Sequence, residues 1–154
     1  MDLTDLIAPD SIISPLRANS KKQVLQELAN KAAELTGLDA RDIFETILQR
    51  ERLGSTGIGH GVAIPHGKLE GIDRIFGIIA RLSSPVDFEA VDEEPVSIVF
   101  LLLAPENAGA DHLKALALVS RLVKDRSILD KISYADDARS IYAILTEPAT
   151  SNAA

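Results

Sequence analysis

The chain has 154 residues, 46% of them hydrophobic and 25% charged, with 16 Lys and Arg against 23 Asp and Glu for a formal charge of −7. That composition and length fit one compact globular domain and exclude disordered, collagen-like and low-complexity classes. The acidic balance and 4% aromatic content argue against nucleic acid as a partner, and the lack of cysteine excludes disulfides, thiol nucleophiles and cysteine-ligated metals.

At the N-terminus, Asp2 and Asp5 stand where a secretory signal carries Lys or Arg. The longest apolar run, residues 96–104, lies between Pro95 and Pro105 and falls far short of the ~20 residues a membrane span needs. These features predict a cytoplasmic protein without membrane insertion. A first short strand is expected over residues 11–16, which are β-branched and contain Pro15. A helix follows: Ser20 and Gln23 have capping-box spacing, Val24, Leu25, Leu28, Ala32 and Leu35 recur at helical intervals, and Gly37 supplies the stop. A second helix runs from Asp39 to about Leu53 and ends at Gly54.

From Gly54 to Gly71 the pattern changes, because glycines crowd around a short apolar stretch, Val62, Ala63 and Ile64, and the pair Pro65-His66. Strands are expected over residues 74–82 and 96–103, the second apolar throughout as in a strand covered on both faces, with residues 83–94 between them a loop that holds at most a short edge strand. A helix over residues 111–124 is expected to bury Leu113, Leu116, Ala117, Val119, Ser120 and Val123. Shorter helices over residues 127–132 and 136–145 precede a frayed tail from about residue 147. The sum predicts an α/β fold: a mixed central β-sheet flanked by helices on both faces, built as one domain over residues 1–154.

The glycine-rich segment is the stretch that folding alone explains least. It fails as a Walker loop, since five residues separate Gly61 from Gly67-Lys68 and Leu69 follows. It fails as a dinucleotide fingerprint, because Gly57, Gly59 and Gly61 have the wrong spacing and precede β-branched residues and a proline. What remains is a histidine on a stiff turn. Pro65 biases Ile64 toward extended backbone, so His66 is expected at the end of the strand, with Gly67 admitting a close neighbour. An imidazole is a competent nucleophile near neutral pH. A plain loop histidine bonded to backbone fits the same spacing.

The run Glu51, then Ile58-Gly59, then Val62-Ala63-Ile64-Pro65-His66-Gly67 resembles the signature around the phosphorylated histidine of fructose/mannitol-type IIA components of the bacterial phosphotransferase system. The flanking residues, Arg50 through Gly59 and Gly67-Lys68-Leu69-Glu70, look most like the nitrogen-regulatory branch of that family. The resemblance implies that His66 accepts a phosphoryl group from an HPr-type phosphocarrier, with His112 a second histidine beside it, Arg50 near the site and Thr56 in the active-site loop. In that scheme Arg50 offers a planar fork of donors to the phosphoryl oxygens, while the Thr56 hydroxyl and the backbone at Gly67 add neutral ones. No cofactor and no metal is needed. His60 departs from the small residue usual at its position, and a zinc site of His60, His66 and His112 finds no acidic support in the spacing. The nitrogen branch implies potassium transporters or sensor kinases as regulated partners. A sugar-specific IIA that passes phosphate to a IIB domain, and a binding module independent of phosphorylation, remain the alternatives.

Overall fold

The computed structural model describes residues 1–146, so the tail expected from about residue 147 lies outside the described residues. After two 3-10 turns comes β1 (Ile12–Leu16), then α1 (Lys21–Thr36) and α2 (Ala40–Leu53). The Ser20 side chain accepts from Gln23 N at 3.2 Å, and Gly37 closes α1 in the left-handed region at φ 76°. Only half of the capping box forms, since Gln23 Oε1 accepts from Asn19 N rather than from Ser20. Asp39 caps α2 by accepting from Arg41 N.

The glycine-rich segment folds into three short strands, β2 (Gly57–Gly59), β3 (Val62–Ala63) and β4 (His66–Leu69). Next come β5 (Phe76–Val86) and β6 (Val96–Pro105), then α3 (Ala110–Leu122), α4 (Arg126–Ser133) and α5 (Ala138–Leu145). The strands form one mixed sheet in the order β1-β5-β6-β3-β2, with β4 also paired to β6. Thus β6 is central, antiparallel to β5 and parallel to both β3 and β4. Its side chains alternate between two apolar layers, as the pleat dictates. Val99, Leu101 and Leu103 pack with α1 and α2, whereas Ile98, Phe100, Leu102 and Ala104 pack with α3, α4 and α5. Helices therefore cover both faces, as the sequence predicts.

Three expectations are corrected. His66 does not end a strand but begins one. Val62 pairs with Ile98 and His66 with Leu102, so β3 and β4 keep a single register along β6. Pro65 has no N–H to give the ladder and interrupts it, although its carbonyl still accepts from Leu102 N at 3.0 Å. Second, β5 extends to Val86 through Ser83, Ser84 and Pro85, where a loop was expected. These three residues are exposed and lie within the register shift between Arg81 and Val86, so their polarity reflects solvent rather than a turn. Third, Val119 and Val123 are buried as expected, but α3 also buries His112 and Ala115 while Ala117 is exposed and Leu113 is 69% exposed.

Candidate active site

The last turn of α2, the start of β4 and the first turn of α3 meet at an open cleft of about 550 Å³ whose lining includes Arg50, Leu53, His66, Gly67, Lys68 and His112. Gly67 is what lets α2 lie against β4, because a Cβ there would stand 2.9 Å from Thr46 Cγ2. With Arg52 added, three cationic side chains line this cleft in a chain of net charge −7. The local field therefore attracts anions that the molecule as a whole repels.

The state of the His66 ring follows from its two neighbours. Nδ1 lies 2.9 Å from the Ile64 carbonyl oxygen, which only accepts, so Nδ1 carries a proton. Arg50 Nε–H donates to Nε2 at 3.3 Å, and a guanidinium only donates, so Nε2 carries the lone pair. The Arg50 Nη1 group also donates to the Gly54 carbonyl at 2.9 Å, which fixes the fork at the end of its own helix. The resting site is thus a neutral imidazole of defined tautomer, with its unshared pair in a cationic cleft.

The His112 ring stands edge-on to His66, with centroids 5.8 Å apart and planes at 66°. It is 8% exposed, and its Nε2 is buried without a hydrogen-bond partner among the described residues. Burial pushes the His112 pKa below its ordinary 6.5, and positive charge on His66, whenever that ring is protonated, and on Lys68 pushes it the same way. The helix cap there is Gly109, at φ 52° and with no side-chain bond, so His112 sits in the first turn of α3.

Arg50, His66, Gly67 and His112 are brought together, and Thr56 is not. Its hydroxyl donates to Glu51 Oε1 and its N–H to Glu51 Oε2, so both donors are turned to a buried carboxylate rather than to the cleft. In this structure Thr56 therefore offers no free donor to the cleft, where it was expected to bind phosphate. Glu51 is the residue whose importance the sequence reading missed. It lies 6% exposed at the end of the stripe Ile43, Ile47, Glu51, spaced by four residues on the buried face of α2. A carboxylate on an apolar stripe in the last turn of a helix, where the dipole disfavours it, signals a dedicated set of donors.

His60 stands apart from this group. It adopts φ 58°, its N–H donates to Asp92 Oδ2 at 3.0 Å, and Arg126 Nη2 donates to its Nδ1 at 3.0 Å. Those backbone bonds, from His60 and then Glu94, hold the Asp92 carboxyl below the usual carboxylate range. Among the described residues, no three His, Cys, Asp or Glu side chains group so as to hold a metal ion.

Residues 5–147 match the family model of the phosphoenolpyruvate-dependent sugar phosphotransferase system, EIIA 2. The chain belongs to that family. This EIIA chain is 59% identical over 148 residues to the nitrogen regulatory protein of Bradyrhizobium diazoefficiens, covering 96% of this chain and 97% of that one. The crystal structure of nitrogen regulatory protein IIA-Ntr from Neisseria meningitidis superposes with a TM-score of 0.85 at 37% identity, covering 90% of this chain and 95% of that one. The mannitol IIA of Escherichia coli shares the fold at a TM-score of 0.75 and 17% identity, covering 91% and 99%. These similarities place the EIIA chain in the nitrogen-regulatory branch. Among its described residues, no helix is long and apolar enough to cross a membrane.

Proposed function

We propose that this EIIA protein takes a phosphoryl group onto Nε2 of His66 from the phosphohistidine of an HPr-type carrier, and that its phosphorylation state controls partner proteins. The observation that carries this reading is the Nε2 lone pair, presented to an open cationic cleft and fixed by a proton at Nδ1. In the transfer the Nε2 lone pair forms the new N–P bond while the N–P bond to the carrier's imidazole breaks. The electron pair of that bond returns to the carrier. Nδ1–H of His66 stays hydrogen-bonded to the Ile64 carbonyl throughout, and a proton on the unphosphorylated ring nitrogen of the carrier's phosphohistidine lets that imidazole leave neutral.

Arg50 serves in two states. At rest its Nε–H holds the acceptor nitrogen, and on arrival of the phosphoryl group its fork turns to the equatorial oxygens, where transfer develops charge. His112 supplies the group that the resting protein leaves unpartnered: Nε2–H of the neutral ring donates to a phosphoryl oxygen. The burial that favours its neutral form keeps one nitrogen protonated and avoids a second buried charge. The backbone at Gly67 lines the same cleft, and no metal is required. Leu53, which lines the cleft and is 85% exposed, gives it an apolar surface for the incoming carrier.

The phosphoryl group itself carries about −1.5 to −2 charges, judged by phosphorylated hydroxyl residues, offset in part by the positive ring, and it makes the two forms different ligands for a partner. The nitrogen-regulatory similarity supports potassium transporters or sensor kinases as those partners, in the cytoplasm. Incubating the chain and a His66→Ala variant with radiolabelled, phosphorylated HPr-type carrier tests the assignment. Label is expected on the parent and lost from His66→Ala; label retained by that variant would falsify the assignment.

A further inference from the structure

We propose that Glu51, acting through Thr56, is the residue that positions the His66 ring for phosphoryl transfer. The inference rests on the reading of His66 as acceptor and adds a residue that never touches the reacting atoms. Its basis is that both ring nitrogens of His66 trace back to one turn, residues 54–56, and that this turn is held by one buried carboxylate.

The first route starts at Nδ1. His66 Nδ1–H donates to the Ile64 carbonyl at 2.9 Å, and Ile64 N–H donates to the Thr56 carbonyl at 3.0 Å. Thr56 is in turn fixed by its own N–H and hydroxyl, both donated to Glu51. The second route starts at Nε2. It accepts from Arg50 Nε, whose Nη1 donates to the Gly54 carbonyl at the head of the same turn. Gly54 N–H closes the loop on the Glu51 backbone carbonyl at 3.1 Å. Lys21 Nζ lies 2.9 Å from Glu51 Oε2 and supplies the remaining charge, so the carboxylate is buried with all its donors in place.

Two hydrogen bonds of fixed direction decide the tautomer of a neutral imidazole, and the tautomer decides which nitrogen is nucleophilic. Loss of the Glu51 carboxylate frees Thr56, loosens the Ile64 carbonyl and the Gly54 carbonyl together, and lets the ring proton move to Nε2. A carboxylate that merely joined α1 to α2 would change stability and leave the ring state alone.

The test uses the full chain, unphosphorylated, at a pH where imidazole is neutral, with Glu51→Ala, Thr56→Val, Glu51→Gln and Thr56→Ser. Ring-nitrogen NMR reads the His66 tautomer, and label uptake from phosphorylated HPr-type carrier reads the rate. Glu51→Ala and Thr56→Val are expected to show a mixed tautomer and uptake slowed by about 10- to 100-fold, the range seen when the partner orienting a metal-bound histidine is removed. Glu51→Gln and Thr56→Ser, which keep an acceptor and a hydroxyl, are expected to keep the parental tautomer. Should Glu51→Ala fail to fold, Thr56→Val decides, being nearly isosteric. A folded Thr56→Val chain with the parental tautomer and rate overturns the proposal. A parent chain that takes no label sinks the acceptor reading instead, while the tautomer spectra still report on positioning.

Discussion

Gly67→Ala tests whether the spacing of α2 and β4, which sets Arg50 against His66, depends on a missing side chain. An added Cβ would lie 2.9 Å from Thr46 Cγ2, while ordinary contact begins at 3.4 Å, so the two elements must part by 0.5 Å or Thr46 must move. Thr46 resists, because it is β-branched on a helix and its hydroxyl donates to the Asp42 carbonyl at 2.9 Å. Overpacking of this kind costs about 1–3 kcal/mol. Replacing glycine returns about 0.4–1 kcal/mol by restricting the unfolded chain. The net loss is about 1–2 kcal/mol, a fall in Tm of about 2–8 °C for a chain of this size. The clash is with one methyl group, which Thr46→Ser removes while keeping the hydroxyl. Thermal and urea unfolding of the single and double variants should show a favourable coupling of at least about 0.5 kcal/mol between the two sites. Additive losses, or a Gly67→Ala chain as stable as the parent, would refute the close-approach argument.

Removing the fork with Arg50→Ala should slow label uptake by about 10²–10³-fold, the scale for one donor to developing charge, and Arg50→Lys should recover only part of it in rapid-quench assays. The folded His112 pKa is depressed below 6.5, so the unfolded chain binds that proton first. Its contribution to stability is full above pH 6.5 and is lost as pH falls through the folded value. Urea midpoints at about pH 7.5 and about pH 5.5 should therefore diverge less for His112→Gln than for the parent. On α3, Leu113→Ser should leave stability within about 0.5 kcal/mol, whereas Val119→Ala should cost about 2 kcal/mol in the same unfolding assay, since only Val119 is buried.

The helices of the first half were legible because their ends carry local chemistry: Ser20 and Gly37 bracket α1, Asp39 and Gly54 bracket α2. The apolar run of β6 announced a strand covered on both faces. What escaped depended on partners distant in sequence. Ser83, Ser84 and Pro85 read as the start of a loop with at most a short edge strand, yet they continue β5 as its solvent-facing end. Leu113 looked like core, but α3 buries His112 and Ala115 and leaves the leucine exposed. His66 could be picked from the glycine-rich turn and the family resemblance, together with Arg50 and His112. The bonds that fix its tautomer come from Ile64 and from a helix 16 residues upstream, which no local pattern reveals. Glu51 was visible in principle as a charge on the stripe Ile43, Ile47, Glu51, and its partners Thr56 and Lys21 were not.

Phosphorus–nitrogen correlation NMR on the chain phosphorylated by an HPr-type carrier addresses the central claim at the reacting atom. The account predicts phosphorus bonded to Nε2 of His66, with Nδ1 of the same ring still protonated. Phosphorus on Nδ1 of His66, or on His112 or His60, would contradict it.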